Sequence, residues 1–351
     1  MTKKSFRRNF NYLIFILFVV AILVVGLVSW NYIFKSNTQL EGKNFIYLKI
    51  PKSTDYAGLK RLISESGVIS DPGTFDWYAR AMKLDKQVHP GRYRINSGMS
   101  NRQIVKMIKN GNEEKVEINI NYTIRTKQQL IEKLTDKLNI EKNRITEFLD
   151  NEAVLERLYG LDKNTITMLV RPGKYSFSWS TDHQDFFDFM KKEFDNFWNQ
   201  EKEKMLKKIN RTKEEVMILA SIVERESNIA SEQRKIAGVY LNRLSKNMEL
   251  QADPTVIFAL NDFSLRRVSF KDLKIESPYN TYKNKGLPPG PIGFPSDKAI
   301  NSVLNYQASN YLYFCAKPDL NGYSNFSSTL AEHEAFAQVY RESLNKKGIL
   351  R

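Results

Sequence analysis

Between Tyr12 and Val28 the chain reads YLIFILFVVAILVVGLV, without one charged residue. No other stretch limits the possible folds as strongly. A helix of about 20 apolar residues satisfies its own backbone hydrogen bonds and spans the hydrocarbon core of a bilayer. The run continues through Trp30, Tyr32 and Phe34, aromatics suited to a membrane interface. A transmembrane helix over 11–34 is the expectation. A cleaved signal peptide would carry a shorter apolar core and a small-residue cleavage site. Here SWNYIFKSN follows, with no A-x-A-like site, which favours a retained anchor. Lys3, Lys4, Arg7 and Arg8 precede the span, so the positive-inside rule leaves a tail over 1–10 in the cytoplasm. Everything after Lys35 then lies outside, as a single-pass protein with a large extracytoplasmic body.

The 351 residues are 42% hydrophobic and 26% charged, a balance typical of folded chains and sufficient for two domains. The net charge of +15 suits anionic lipid headgroups or wall polymers, and equally a solvated lysine-rich surface. Nucleic acid is excluded as a partner by the outward orientation. Cys315 is the only cysteine, so no intrachain disulfide can form, and its setting in YLYFCAKP reads as a packed strand. His89, His183 and His333 have no metal-ligand spacing, and no G-x-S-x-G elbow or phosphate-binding glycine loop is present. No metal and no cofactor are expected.

After a polar linker over 35–44, residues 45–120 read as a small α+β module. FIYLKI is a strand stopped by Pro51. A helix capped by Ser53 or Thr54 follows, with Leu59, Leu62 and Ile63 at helical spacing. Asp71-Pro72-Gly73 reads as a turn before the helix TFDWYARAMKL. GRYRINSGM is a strand and turn, a third helix runs from Ser100 to Gly111, and EKVEINI closes the unit as a strand. Residues 121–351 form a mixed, helix-rich domain. Its amphipathic segments include HQDFFDFMKKEFDNFWNQEKEKMLKKI as one long helix, and VRPGKYSFSW as a turn with an aromatic strand. Past Leu244, LQADPTVIFAL and SPYNTYKNKGLPPGPIGFPS read as loops, followed by the helix DKAINSVLN and the strand YLYFCA. The fold class is α+β throughout.

One helix, beginning near Lys213, carries ASIVERESN at 220–228. At about 100° per residue with Leu219 at zero, Glu226 falls at about 340°, within an apolar stripe of Ile222, Val223 and Ala230. Glu224 falls at about 140°, on the far side, as a replaceable surface residue. An inward carboxylate must be paired or protonated. Burial raises its pKa toward what a general acid requires, whereas a pairing with a base such as Arg243 would make it structural. The loops bring amide, carboxylate, hydroxyl and aromatic groups together at Gln251, Asp253, Thr255, Tyr279, Asn280 and Tyr282. Pro288 and Pro289 stiffen the backbone beside them. Such groups can hydrogen-bond sugar hydroxyls and stack on pyranose rings.

LASIVERES, IAGVYLNRL, LQADPTVIFAL, SPYNTY, GLPPGPI and YLYFCA occur here in that order. With them the chain resembles the endolytic murein transglycosylases of the YceG/MltG-like family over nearly its whole length. The resemblance implies a LysM-like module at 45–120 and a catalytic domain at 121–351. It assigns the acid to Glu226, followed by Ser227 as in soluble lytic transglycosylases, and adds Thr281 and Gly290 to the substrate loops. It implies cleavage of the MurNAc–GlcNAc β-1,4 bond in peptidoglycan strands, with closure of a 1,6-anhydro ring. The location would be the bacterial cytoplasmic membrane, with peptidoglycan synthases or division proteins as neighbours. Many members carry an F-P-D-T-Y-like segment where this chain has VRPGKYSF, which keeps Pro172 and Tyr175 but not the polar side chain between them. Two other readings stay open: a glycan-binding scaffold without catalysis, and a muramidase that uses water.

Overall fold

The computed structural model describes residues 3–265 and 267–346, and side chains from Phe10 onward. Met1, Thr2, Arg266, residues 347–351 and the side chains of Lys3, Lys4, Arg7 and Arg8 lie outside the described residues. The apolar run forms helix α1 (Lys3–Phe34). Its stretch Phe10–Phe34 covers 25 residues with none of its apolar side chains buried in protein. At about 1.5 Å per residue that length exceeds a hydrocarbon core of about 30 Å, as a single-pass membrane protein requires.

The chain divides into two compact units. The first takes residues 1–117, 137–139 and 176–182; the second takes 118–136, 140–175 and 183–351. In the first, β1 (Phe45–Ile50) leads through α2 (Tyr56–Ser66) and α3 (Pro72–Ala81) to β2 (Gly91–Asn96) and α4 (Asn101–Lys109). β1 and β2 are antiparallel, with Ile46 opposite Ile95 and Leu48 opposite Tyr93. Alternation sends Leu48, Ile50, Tyr93 and Ile95 into a core shared with Leu59, Ile63, Phe75, Ile104 and Ile108. Asp55 caps α2, in place of the expected Ser53 or Thr54. Its carboxylate accepts from Gly58 N, and a carboxylate also complements the helix dipole. Asp71-Pro72-Gly73 is no free turn: Asp71 caps α3 and Pro72 occupies its first turn, where a missing N–H costs nothing. Ser100 and Gln103 form a capping box on α4. β3 (Val116–Ile120) pairs with β4 (Gly173–Phe177) instead of joining the β1–β2 sheet.

Between those strands run α5 (Lys127–Lys137), α6 (Lys142–Asp150) and α7 (Glu152–Tyr159). The expected single long helix is two, α8 (His183–Phe197) and α9 (Gln200–Ile209), because Asn199 turns out of the first and caps the second. Then come α10 (Lys213–Glu226), α11 (Ala230–Ser245), α12 (Asp253–Leu260), α13 (Asp297–Leu304), β5 (Tyr313–Ala316), β6 (Ser324–Ser327) and α14 (Leu330–Lys346). The stretch DPTVIFAL, read as loop, is helix α12, with Pro254 in its first turn. α10 starts in a capping box of Thr212 and Glu215 and packs against α11, α12 and α13. Every residue from Val216 to Val223 is buried, so this helix is enclosed on all sides.

Candidate active site

α10 stops at Glu226. Ser227 turns extended (φ −153°, ψ 145°), and its Oγ accepts from Ile229 N at 3.1 Å, which starts α11 after a sharp corner. Gln233 Nε2 donates to the Ser227 carbonyl at 2.7 Å and fixes that corner. Ala230 therefore lies on the next helix and is exposed, not on the stripe that phase counting gave it.

The corner brings Tyr240 of α11 back to the end of α10, where its hydroxyl donates to Glu226 Oε1 at 2.7 Å. Tyr240 is buried, its ring edge-on to Phe314 at 5.8 Å, so the hydroxyl has little freedom. Glu226 keeps part of its surface open to solvent. Burial, less the hydrogen bond from Tyr240 and aided by the nearby charge of Asp253, pushes its carboxyl up to about 7. Among the described residues no base forms an ion pair with it. Arg243, the alternative partner, turns elsewhere. Its Nε donates to Leu312 O at 2.6 Å and its Nη1 to Glu249 O at 3.0 Å, Leu250 O at 3.1 Å and Gln251 Oε1 at 3.2 Å. Arg243 ties the α11–α12 connection together and leaves Glu226 without a cation.

Asp253, the first residue of α12, accepts from Tyr282 Oη at 2.5 Å. Desolvation raises its carboxyl, opposed by that bond and by Arg267. Burial, then Asp253, raises the Tyr282 phenol, and Glu226 adds to the effect. Glu226, Tyr240, Asp253 and Tyr282 therefore form one electrostatically linked group drawn from α10, α11, α12 and the loop after it.

The other predicted loop residues serve this group indirectly. Thr255 Oγ1 donates to Ala252 O at 2.7 Å and shares a 2.8 Å bond with Thr281 Oγ1, which accepts from Ala252 N at 3.0 Å. Asn280 donates to Leu273 O and Ile275 O and accepts from Tyr282 N. Thr255, Thr281 and Asn280 are buried with their polar atoms used internally; they lock the loop that carries Tyr282. Gln251 is exposed at φ +50°, its amide oxygen on Arg243. Tyr279 packs on Phe258 at 4.9 Å, and burial pushes its phenol up to about 12. Pro288 and Gly290 are buried and Pro289 partly so. A Cβ on Gly290 would meet Asn164 O at 2.4 Å, so only glycine fits that approach.

Glu224 is not the free surface residue the helix wheel implied. It is half-buried and accepts from both Ser296 N and Ser296 Oγ. With Arg225, Arg125, Tyr122, Pro172 and Gly173 it lines a cavity of about 870 Å³. Tyr175 bonds the Arg171 carbonyl, and Arg171 pairs with Asp297. Sequence reasoning missed Tyr240. It lies fourteen positions past Glu226, and only the corner at Ser227 brings it close.

The YceG-like family profile matches residues 48–339. The chain belongs to the YceG-like family. It is similar to a protein named endolytic murein transglycosylase from Bacillus subtilis (strain 168), at 30% identity over 324 residues and 88% of each chain. A protein of the same name from Streptococcus pneumoniae (serotype 2, strain D39) is 28% identical over 336 residues. That match covers 86% of this YceG-like chain and 60% of the longer pneumococcal protein. The fold resembles the crystal structure of a YceG-like protein from Listeria monocytogenes, with a TM-score of 0.53 and 28% identity over 84% of this chain and 99% of that one.

Proposed function

We propose that this YceG-like protein is a membrane-anchored endolytic lytic transglycosylase that cleaves the MurNAc–GlcNAc β-1,4 bond of nascent peptidoglycan strands. The observation that carries this reading is Glu226: an inward carboxyl at a helix end, pushed up to about 7, hydrogen-bonded to a tyrosine and to no base. At neutral pH a large fraction of it is the acid. Because Tyr240 donates to Oε1, Oε2 is the oxygen left to carry the proton in this reading.

Glu226 gives this proton to the glycosidic oxygen as the bond from that oxygen to muramoyl C1 breaks, and the sugar passes through an oxocarbenium-like state. The carboxylate left behind, steadied by the Tyr240 hydroxyl, takes the proton of the muramoyl 6-hydroxyl. O6 then bonds C1 and closes the anhydro ring. Water is not consumed, and Glu226 ends as the acid it began. Asp253 and Tyr282 border the site and set its field. The anchor would hold this chemistry at the outer face of the cytoplasmic membrane, the LysM-like first unit would hold glycan, and cleavage there would limit strand length.

A second reading rests on Asp253. It is the carboxylate whose charge acts on Glu226, and a muramidase could use such a partner to activate water. Products separate the readings. Mass spectrometry of digested strands should find 1,6-anhydro ends. Reducing ends would establish the muramidase, and uncut strands a scaffold. Glu226→Gln, nearly isosteric, should lower the rate at least about a hundredfold with the fold intact, while Glu224→Gln keeps the product. A dead, folded Glu224→Gln would move the acid to Glu224.

A further inference from the structure

Beside the group around Glu226 lies a cavity of about 450 Å³ that the mechanism above leaves unused. Asp253 and Tyr282 line it on the side of that group, and Arg267, Phe270, Leu273 and Arg341 are among its other lining residues. Two features set it apart. Arg267 and Arg341 are exposed, and neither side chain makes a hydrogen bond or ion pair with any described residue. Both nonetheless line this one cavity, together with Asp253. Phe270 is 89% exposed, more than any other large apolar residue described. Its presentation is fixed: Ser269 donates from N and Oγ to Asp272 Oδ2, at 2.8 and 2.6 Å, which closes a tight turn with Phe270 at its tip.

Two cations against one carboxylate, with an apolar ring held in water, suit a ligand that has an anionic group on an aliphatic body. On the reading given above, the substrate carries such a group: the muramoyl lactyl ether bears a peptide with free carboxylates. We propose that Arg267 and Arg341 form a subsite for a carboxylate of this stem peptide, with Phe270 covering its apolar side chains. The enzyme would therefore prefer peptide-bearing strands over bare glycan. The inference rests on the proposed reaction for its ligand, but it can be tested without turnover.

In the full chain carrying Glu226→Gln, held in detergent micelles, a free tetrapeptide stem is titrated beside the same peptide with its carboxylates amidated. The carboxylate form should bind roughly tenfold tighter at low salt, an advantage that shrinks as salt rises. Equal binding of the two forms overturns the subsite. In the active enzyme, the ratio of kcat/KM for peptide-bearing strands to that for amidase-stripped strands should fall toward one in Arg267→Gln/Arg341→Gln. The Lys pair, which keeps the charge, should hold most of the ratio; an unchanged ratio in the Gln pair also overturns the subsite. A lack of anhydro ends on every substrate would overturn the reaction instead, and the titration would still decide the subsite.

Discussion

Two neighbours of Glu226 act on it with opposite sign. The Tyr240 hydroxyl favours the charged carboxylate, while the charge of Asp253 favours the acid. The proposed cleavage requires the acid, so activity should fall as pH rises through about 7. Tyr240→Phe should move that alkaline limb to higher pH, and Asp253→Asn to lower pH. Profiles of kcat for both variants check this, and shifts in one direction would disprove the linkage. The same carboxyl also affects stability. Its folded value of about 7 lies above the ordinary 4.5, so the fold favours the proton and loses stability as pH rises from 4.5 to 7. Glu226→Gln does not titrate. Relative to wild type it should gain about 2 kcal/mol between pH 5 and pH 8, allowing for partial solvent access. Denaturant unfolding at the two pH values measures this. Helix phase correctly turned Glu226 inward, but its partner was not readable from phase: of two candidates on α11, Arg243 is committed to backbone carbonyls and the Gln251 amide, and Tyr240 reaches the carboxyl.

At the scale of elements, the site depends on how closely α10 and α11 approach what surrounds them. Ser221 of α10 donates to Ile218 O at 2.7 Å and accepts from Ile292 N at 3.0 Å, pinning the GLPPGPI loop to the helix that carries Glu226. Gly238 of α11 lies so near the chain after α13 that an added Cβ would meet Gln307 O at 2.5 Å. Gly238→Ala should cost about 1–3 kcal/mol by overpacking and lower activity in parallel, because it displaces the helix that carries Tyr240. Thermal unfolding and turnover on the same sample test the coupling. Local patterns made most helices and strands readable, since caps such as Ser100 and Thr212 and the alternation in FIYLKI act within a few residues. The failures share one cause. Whether HQDFFDF…LKKI stays one helix depends on Asn199, which can cap as readily as it can continue. A proline in DPTVIFAL reads as loop until it is known to occupy a first turn. The partner of β3 is β4, more than fifty residues on, and no local signal specifies it.

For the whole molecule, α1 is both a helix long and apolar enough to span a membrane and a part of the body. Its last turn offers the Tyr32 carbonyl to Asn101 Nδ2 at 2.8 Å, and Ile33 packs on the first unit's core. Removing residues 1–29 should leave a water-soluble body that unfolds like the full chain. Removing residues 1–36 should lower its stability by about 1–3 kcal/mol, through the lost Asn101–Tyr32 hydrogen bond and the lost apolar contact of Ile33. Thermal melts of the two truncations give the difference. The division into units has a separate consequence for how the protein is made. The chain passes between them five times, at 117/118, 136/137, 139/140, 175/176 and 182/183. A ribosome that has delivered only the first 117 residues has not delivered a complete first unit, which waits for Asp182. Through that interval the nascent chain is open to proteases and to chaperones. A nick between residues 118 and 182 would not release either unit as a finished piece, because each has sequence on both sides of such a cut.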